Sequence, residues 1–389
     1  MAPNLFGTSA TLLLEASQQG ISQEKSITKP EPQLIKIKSD KPKYKWHIVW
    51  RNVIAFVYIH AAAVYGLYLT FTTAKFATFV TAISIGILSG VGVTAGAHRL
   101  WAHKCYKAKW QMRLILVFLQ TVAFQNHIYE WVRDHRVHHK FTDSDADPHN
   151  ANRGFFFSHI GWLMVRKHPD VFSKGVKVDM SDMEKDPLIV WQRRLYVILM
   201  PICCFLIPTW LPCYLYGEKP IVAWYLTLLR YALTLNGTWL VNSAAHIWGT
   251  KPYDNTISPT DSLRVGFLAF GEGWHNYHHV FPYDYKAAEL GNYRANLTTA
   301  FIDFFAWIGW AYDLKTVSIE TINKRAARSG DGTRLPVPTE KDSQLENDNK
   351  SEDHHHHHNH SHDNCVWGWD DKDMLEEDKK DVQIFNKRD

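Results

Sequence analysis

The chain has 389 residues, 46% of them apolar, with 43 Lys and Arg against 39 Asp and Glu and a formal net charge of +4. So small a charge gives no basis for nucleic-acid binding, and five cysteines without a paired spacing fit a reduced, cytosol-facing protein rather than a disulfide framework. The opening MAPNLFGTSATLLLEAS has no basic region ahead of its short apolar patch, which argues against a cleaved signal peptide.

Residues 1–47 read as a flexible, lysine-rich tail. Val49–Phe71 is long enough to cross a bilayer, which takes about 20 residues. After a short link near Lys75 a second apolar run, Ala77–Ala97, ends at His98, so the two read as a transmembrane hairpin. Arg113–Phe124 is too short to span and reads as a buried or interfacial helix. Leu195–Tyr216, interrupted by Pro201, Pro208 and Pro212, is a third span, and Ile221–Val241, carrying Arg230, is a fourth. Phe301–Tyr312 is short and aromatic, as interfacial helices are. The 16 Trp and 17 Tyr suit membrane interfaces. The expected fold is an all-α membrane protein, with four transmembrane helices and a cytosolic helical cap in a domain over 48–325. Residues 326–389 are polar, contain HHHHHNHSH (His354–His362), and are expected to be disordered and outside the active site. The lysine-rich tail with Arg99, Lys104, Lys107 and Lys109 places both termini and the histidine clusters below in the cytosol by the positive-inside rule.

Nine histidines lie in four clusters beside these spans: His98 and His103 in HRLWAH, His135, His138 and His139 in HRVHH, His246 in NSAAH, and His275, His278 and His279 in HNYHH. Neutral imidazole is the commonest metal ligand. Nine are too many for one tetrahedral zinc and suit two metal ions. In each HxxHH the spacing i, i+3, i+4 places three rings on one helical face, where they can converge. His98 and His103 are five apart, so both ligate only if the helix ends or bends between them. Asn242, one turn before His246, reaches the same centre directly or through water. Nitrogen ligands suit iron, copper, nickel or zinc, and softness alone does not choose among them. No HExxH occurs, so a zinc protease has no motif support. Asp134, Asp143, Asp145 and Asp147 flank HRVHH; such carboxylates fix the second ring nitrogen of ligating histidines, although for Asp143 and Asp145 a solvated turn is the plainer reading.

These clusters, in HRLWAH, EWVRDHRVHHKFTDSDADPHN, LVNSAAHIWG and GEGWHNYHHVFPYDY, resemble the membrane acyl-CoA desaturases of the stearoyl-CoA desaturase type, insect branch, over residues 45–325. GDGT (Gly330–Thr333) and VWGWDDKD (Val366–Asp373) are similar to the tail of the insect enzymes, here split by the histidine-rich insert. The resemblance implies a four-span, mushroom-like bundle in the endoplasmic reticulum membrane, multi-pass. It implies two iron ions (Fe2+) on the nine histidines, with Asn242 contacting one through water. It implies a reaction in which O2 is used to form a cis double bond in a saturated fatty acyl-CoA, with electrons from NADH through cytochrome b5 reductase and cytochrome b5. No HPGG haem motif occurs, so cytochrome b5 would be a separate protein. The coenzyme A head would meet Asn52, Asn126, Arg133, Asp134, Arg166 and Lys167, and Trp239 would line the acyl path.

Trp274 before HNYHH points to delta-9, while the ISPTDS stretch (Ile257–Ser262) does not settle the position, and delta-11, another position or hydroxylation are the alternatives. Gly86 and Gly90 fit either the closed end of a deep acyl tunnel or close helix packing by a GxxxG pair. A zinc-dependent membrane receptor or hydrolase would need fewer ligands and no electron donor. A metal transporter would need polar residues inside the spans, where, away from the span ends, His60 and Arg230 are the basic residues.

Overall fold

The computed structural model describes residues 44–289, 293–337 and 365–388. The expectations of a flexible tail before Tyr44 and of disorder across His354–His362 lie outside the described residues. Nine helices carry the argument: α1 (Trp50–Thr72), α2 (Phe76–Ala102), α3 (Trp110–Ala123), α4 (Ile128–Lys140), α5 (Pro187–Tyr216), α6 (Pro220–Asn242), α7 (His275–Val280), α8 (Leu297–Trp307) and α9 (Ile319–Ser329). Three of them, α1, α2 and α5, are long and apolar enough to cross a membrane. At about 1.5 Å per residue even α1 outreaches the roughly 30 Å hydrocarbon layer. Their outward faces are apolar and uncovered, as at Ile54, Val64 and Phe71 on α1 and at Val197, Leu206 and Trp210 on α5. α6 has the same length as α1 but carries Thr227, Arg230, Thr234, Asn236 and Thr238, and it is not among the three.

Small residues let these helices approach. A Cβ on Gly66 of α1 would lie 2.4 Å from the Tyr225 carbonyl oxygen of α6, and one on Gly92 of α2 would lie 2.5 Å from the Gln120 nitrogen of α3. The prolines do not break α5 as the sequence reading had it. The helix widens to a π-type turn over Ile202–Leu206 and runs on. Pro208 has no N–H for the Cys204 carbonyl four residues earlier; Arg230 Nη2 of α6 donates to that oxygen at 2.5 Å, and Nη1 donates to the Val122 carbonyl at 3.2 Å. A buried guanidinium thus supplies donors to backbone carbonyls that lack them.

The α1–α2 and α5–α6 links are tied to each other. Lys75 N donates to Glu218 Oε2 at 2.8 Å, Thr78 Oγ1 donates to the same oxygen at 2.9 Å, and Lys75 Nζ donates to the Tyr216 carbonyl. From this end α2 and α6 run away from the links, and their far ends deliver His98 and, just past Asn242, His246.

Two expectations need correction. The fold is not purely helical: β1 (Lys107–Ala108) pairs antiparallel with β2 (Ala311–Tyr312), and β3 (Leu314–Val317) pairs antiparallel with β4 (Val382–Phe385). The aromatic run expected as one helix to Tyr312 therefore ends as helix at Trp307 and closes in β2. The polar tail after 325 is also not structureless throughout. α9 continues to Ser329, and residues 365–388 fold back, burying Trp367 and Met374. A few buried apolar side chains in a polar segment escape an average over its composition.

Candidate metal centre

The nine histidines form two sets. His98, His103, His135, His139 and His278 present ring nitrogens to one point, and His138, His246, His275 and His279 to a second. Each HxxHH motif is divided between the two. α4 sends His135 and His139, one turn apart, to the five-histidine set and His138 to the other. α7 does the converse, with His275 and His279 in the four-histidine set and His278 in the five. The three rings of one motif therefore do not converge on one metal, as their shared helical face had led us to expect. A pair at i, i+4 faces one centre, and the residue between them, rotated by about 100° per residue, faces the neighbouring centre.

The spacing of His98 and His103 is explained by the end of α2. From Gly92 to Ala102 the helix is wound as a π-helix, and the His103 N–H bonds the His98 carbonyl five residues back at 3.1 Å. A π-turn brings i and i+5 to one side, and such turns recur at functional sites. The rings of the two histidines lie with centroids 4.7 Å apart.

The Nε2 atoms of adjacent ligands are 3.0 Å apart for His98–His278, 2.8 Å for His103–His135 and 3.1 Å for His139–His278. They are 3.0 Å apart for His246–His275 and 3.1 Å for His275–His279. Two nitrogens bound at about 2.1 Å to one metal are roughly 3.0 Å apart at a right angle and roughly 3.4 Å apart at the tetrahedral angle. The five-histidine set fits a centre of more than four ligands better than a tetrahedral one, while the four-histidine set, whose His138 and His279 Nε2 atoms are 3.3 Å apart, spans both values.

The opposite ring nitrogens of four ligands are held by oxygens. His98 Nδ1 lies 2.9 Å from Glu272 Oε2, and His138 Nδ1 lies 2.9 Å from Asp147 Oδ2. His103 Nδ1 meets the Trp367 carbonyl, and His246 Nδ1 is 3.4 Å from Asp143 Oδ2 and from Ser258 Oγ. A neutral imidazole has one N–H. With that N–H given to an oxygen, the Nε2 of each of these four histidines keeps a lone pair that a metal can accept. Burial, and after it the neighbouring imidazoles, hold His103, His135, His139, His275, His278 and His279 well below the ordinary imidazole range. That is the neutral form a metal requires.

The carboxylates divide differently from the sequence reading. Asp143, expected in a solvated turn, is nearly buried at His246 and accepts the Ser258 hydroxyl. Burial opposes the charge of Asp147, but His138 and His149 outweigh it and hold the carboxyl well below its usual range. Asp145 is exposed and pairs with Arg153. Asp134 pairs with Lys167 and Arg133, not with a ligand histidine. Glu272 was missed. It also receives Arg99 Nε and Nη2 at 3.1 and 2.9 Å, and Arg99 and His98 hold its carboxyl down against the effect of burial. Asp261, also missed, accepts the Asn276 and Tyr277 N–H groups at 2.9 and 3.2 Å and so caps α7. Neither GEGWHNYHH, which holds Glu272, nor ISPTDS, which holds Asp261, shows a signal for these roles beyond the acid itself.

The remaining expected residues are placed as follows. Asn52 Nδ2 donates to the Leu163 carbonyl at 2.7 Å, and Arg133 and Lys167 share Glu130 and Asp134. Arg166 is exposed, with its N–H on the His47 carbonyl. Asn126 adopts φ 65° just before α4, and its carbonyl accepts Gln120 Nε2 at 2.7 Å. Trp239 is 3% exposed and meets Phe56 edge-on with centroids 5.4 Å apart. Asn242 is the last residue of α6, four before His246. Gly86 faces Arg230, and a Cβ on Gly90 would lie 2.1 Å from the Phe270 ring. The space beside both glycines is taken by protein side chains.

A model of the fatty acid desaturase family matches residues 74–296. The chain is 56% identical to an acyl-CoA Delta-9 desaturase of Acheta domesticus, over 100% of this chain and 99% of the relative. It is 48% identical to an acyl-CoA Delta12-desaturase of the same species, over 96% and 98% of the two chains. It is 53% identical to an acyl-CoA Delta(11) desaturase of Spodoptera littoralis, over 80% of this chain and 90% of the relative.

Proposed function

The chain belongs to the fatty acid desaturase family and is an acyl-CoA desaturase, and we propose that it forms a cis delta-9 double bond in a saturated fatty acyl-CoA at two irons held by the five- and four-histidine sets. The observation that carries this reading is the division of nine imidazoles into two nitrogen-only sets. Two irons there would supply the O2-activating chemistry that an unactivated C–H bond demands. Histidine ligands leave both centres without anionic donors, and Glu272, Asp147 and Asp143 put compensating charge one layer further out. Asn242, one turn before His246, would approach the four-histidine centre through water.

Arg133, Arg166 and Lys167 offer cations for the anionic coenzyme A head, with Asn52, Asn126 and Asp134 beside them. Trp239 gives the acyl chain an apolar wall that keeps water from the reacting carbon. α6 serves as a fourth span beside α1, α2 and α5. Both termini lie in the cytosol, and the protein resides in the endoplasmic reticulum membrane, where cytochrome b5 and its NADH-dependent reductase supply the two electrons. The delta-9 relative, matched end to end, favours delta-9 over the delta-11 and delta-12 positions of the others.

The test is reconstitution of the purified, iron-loaded protein with stearoyl-CoA, NADH, cytochrome b5, its reductase and O2. Oleoyl-CoA that disappears when cytochrome b5 is omitted is the expected result. A hydroxylated product, or turnover indifferent to cytochrome b5, contradicts the reading.

A further inference from the structure

His103 is a ligand at the very end of its helix. It follows the last turn of α2, and Lys104 behind it turns to φ 54°. What holds it comes from the other end of the chain. Its Nδ1 bonds the Trp367 carbonyl, and its own carbonyl accepts the Trp369 N–H at 2.9 Å. Gly368 sits between these two bonds at φ +156°, where a Cβ would lie 2.6 Å from the His103 Cα and carbonyl oxygen. The backbone contact is possible only because that residue is glycine.

The segment is braced on the elements that supply the same centre. Trp367, 2% exposed, has the Arg136 guanidinium of α4 4.0 Å from its ring centroid and Lys104 Nζ at 5.5 Å. Asp371 accepts the Trp367 N–H at 2.8 Å and pairs at 2.8 Å with Lys140, the residue after His139. Met374 is buried with Tyr277 of α7 and Phe281 just after it. β4 then pairs with β3. The four-histidine centre is served differently, since the partners of His138 and His246 are Asp147 and Asp143 from the loop after α4.

We propose that the C-terminal segment 365–388 is a structural part of the five-histidine centre, with the Trp367 carbonyl as the positioning group that fixes the tautomer of His103. The segment lies outside the residues matched by the family model. The proposal rests on the two-metal reading above. It assigns the two centres different dependence on the tail: the five-histidine site needs it, and the four-histidine site does not.

The experiment loads the full chain, a chain ending at Asn364, and the full-length Gly368→Val variant with iron(II) under anaerobic conditions in detergent. It reads bound iron per chain and the rate of iron release to a chelator, with helix content by circular dichroism. Two irons on the parent and about one on each altered chain, at unchanged helix content, are the expected results. His275→Ala, which breaks the four-histidine set, should leave one iron on the full chain and none once the tail is also removed. Gly368→Val keeps Trp367 and Met374 in the chain and decides the matter if the shortened chain does not fold. Two firmly held irons on the altered chains overturn the proposal. Fewer than two on the parent contradict the two-metal reading itself.

Discussion

At the scale of single residues, the site is organised by which ring nitrogen is given away. Asp147 holds His138 by Nδ1 at 2.9 Å and takes the Asp143 and His149 N–H groups at 2.8 and 3.0 Å. Asp147→Asn keeps the shape but can offer its NH2 where an acceptor is needed. Losses at such outer partners run to about 10–100-fold in metal affinity, and a chelator competition against the parent measures it. The imidazoles also set a pH dependence. Six ligand histidines stay neutral in the folded protein at pH values where free imidazole, near pKa 6.5, takes up a proton. Below that pH the unfolded chain binds more protons than the folded one, so stability falls as pH falls. Each such histidine contributes a slope of up to about 1.4 kcal/mol per pH unit. Thermal unfolding midpoints of the metal-free protein should drop between pH 7 and 5, and a flat profile would contradict the assignment of neutral buried rings.

At the scale of elements, α2 combines two tasks. Its first part is an apolar helix packed through small residues, and its last eleven residues are wound as π-helix so that His98 and His103 face one centre. The apolar runs and the HxxHH spacing were legible in the sequence, because periodicity and ligand type are local signals. The π-turn, the division of each motif between two metals, and the acids that hold His98 and His246 were not, because they depend on contacts between distant segments such as Glu272 and Asp143. The glycines of α2 show the same limit. A tunnel end and a packing face look alike in sequence, and only the Phe270 ring against Gly90 separates them. Gly90→Ala should lower the thermal midpoint, Gly90→Ala with Phe270→Leu should recover part of it, and the chain length of the products should not change. A shift to shorter products in Gly90→Ala would restore the tunnel reading.

At the scale of the whole molecule, segments distant in the sequence meet at one site. α2 and α6 leave a common locked end at Lys75 and Glu218 and carry histidines at their opposite ends. Loops, α4 and α7 bring the remainder, and the C-terminal segment closes over His103. Helices long and apolar enough to cross a membrane thus end beside a nitrogen-rich site. With these histidines the chain is proposed to act as a delta-9 acyl-CoA desaturase. The most direct test is mass-spectrometric profiling of fatty acids, with double-bond location, in desaturase-deficient yeast expressing the parent chain or His138→Ala. New cis-delta-9 monounsaturated acids from the parent alone are the predicted result. No new unsaturated acid from a well-expressed, iron-loaded parent, or equal products from His138→Ala, would contradict it.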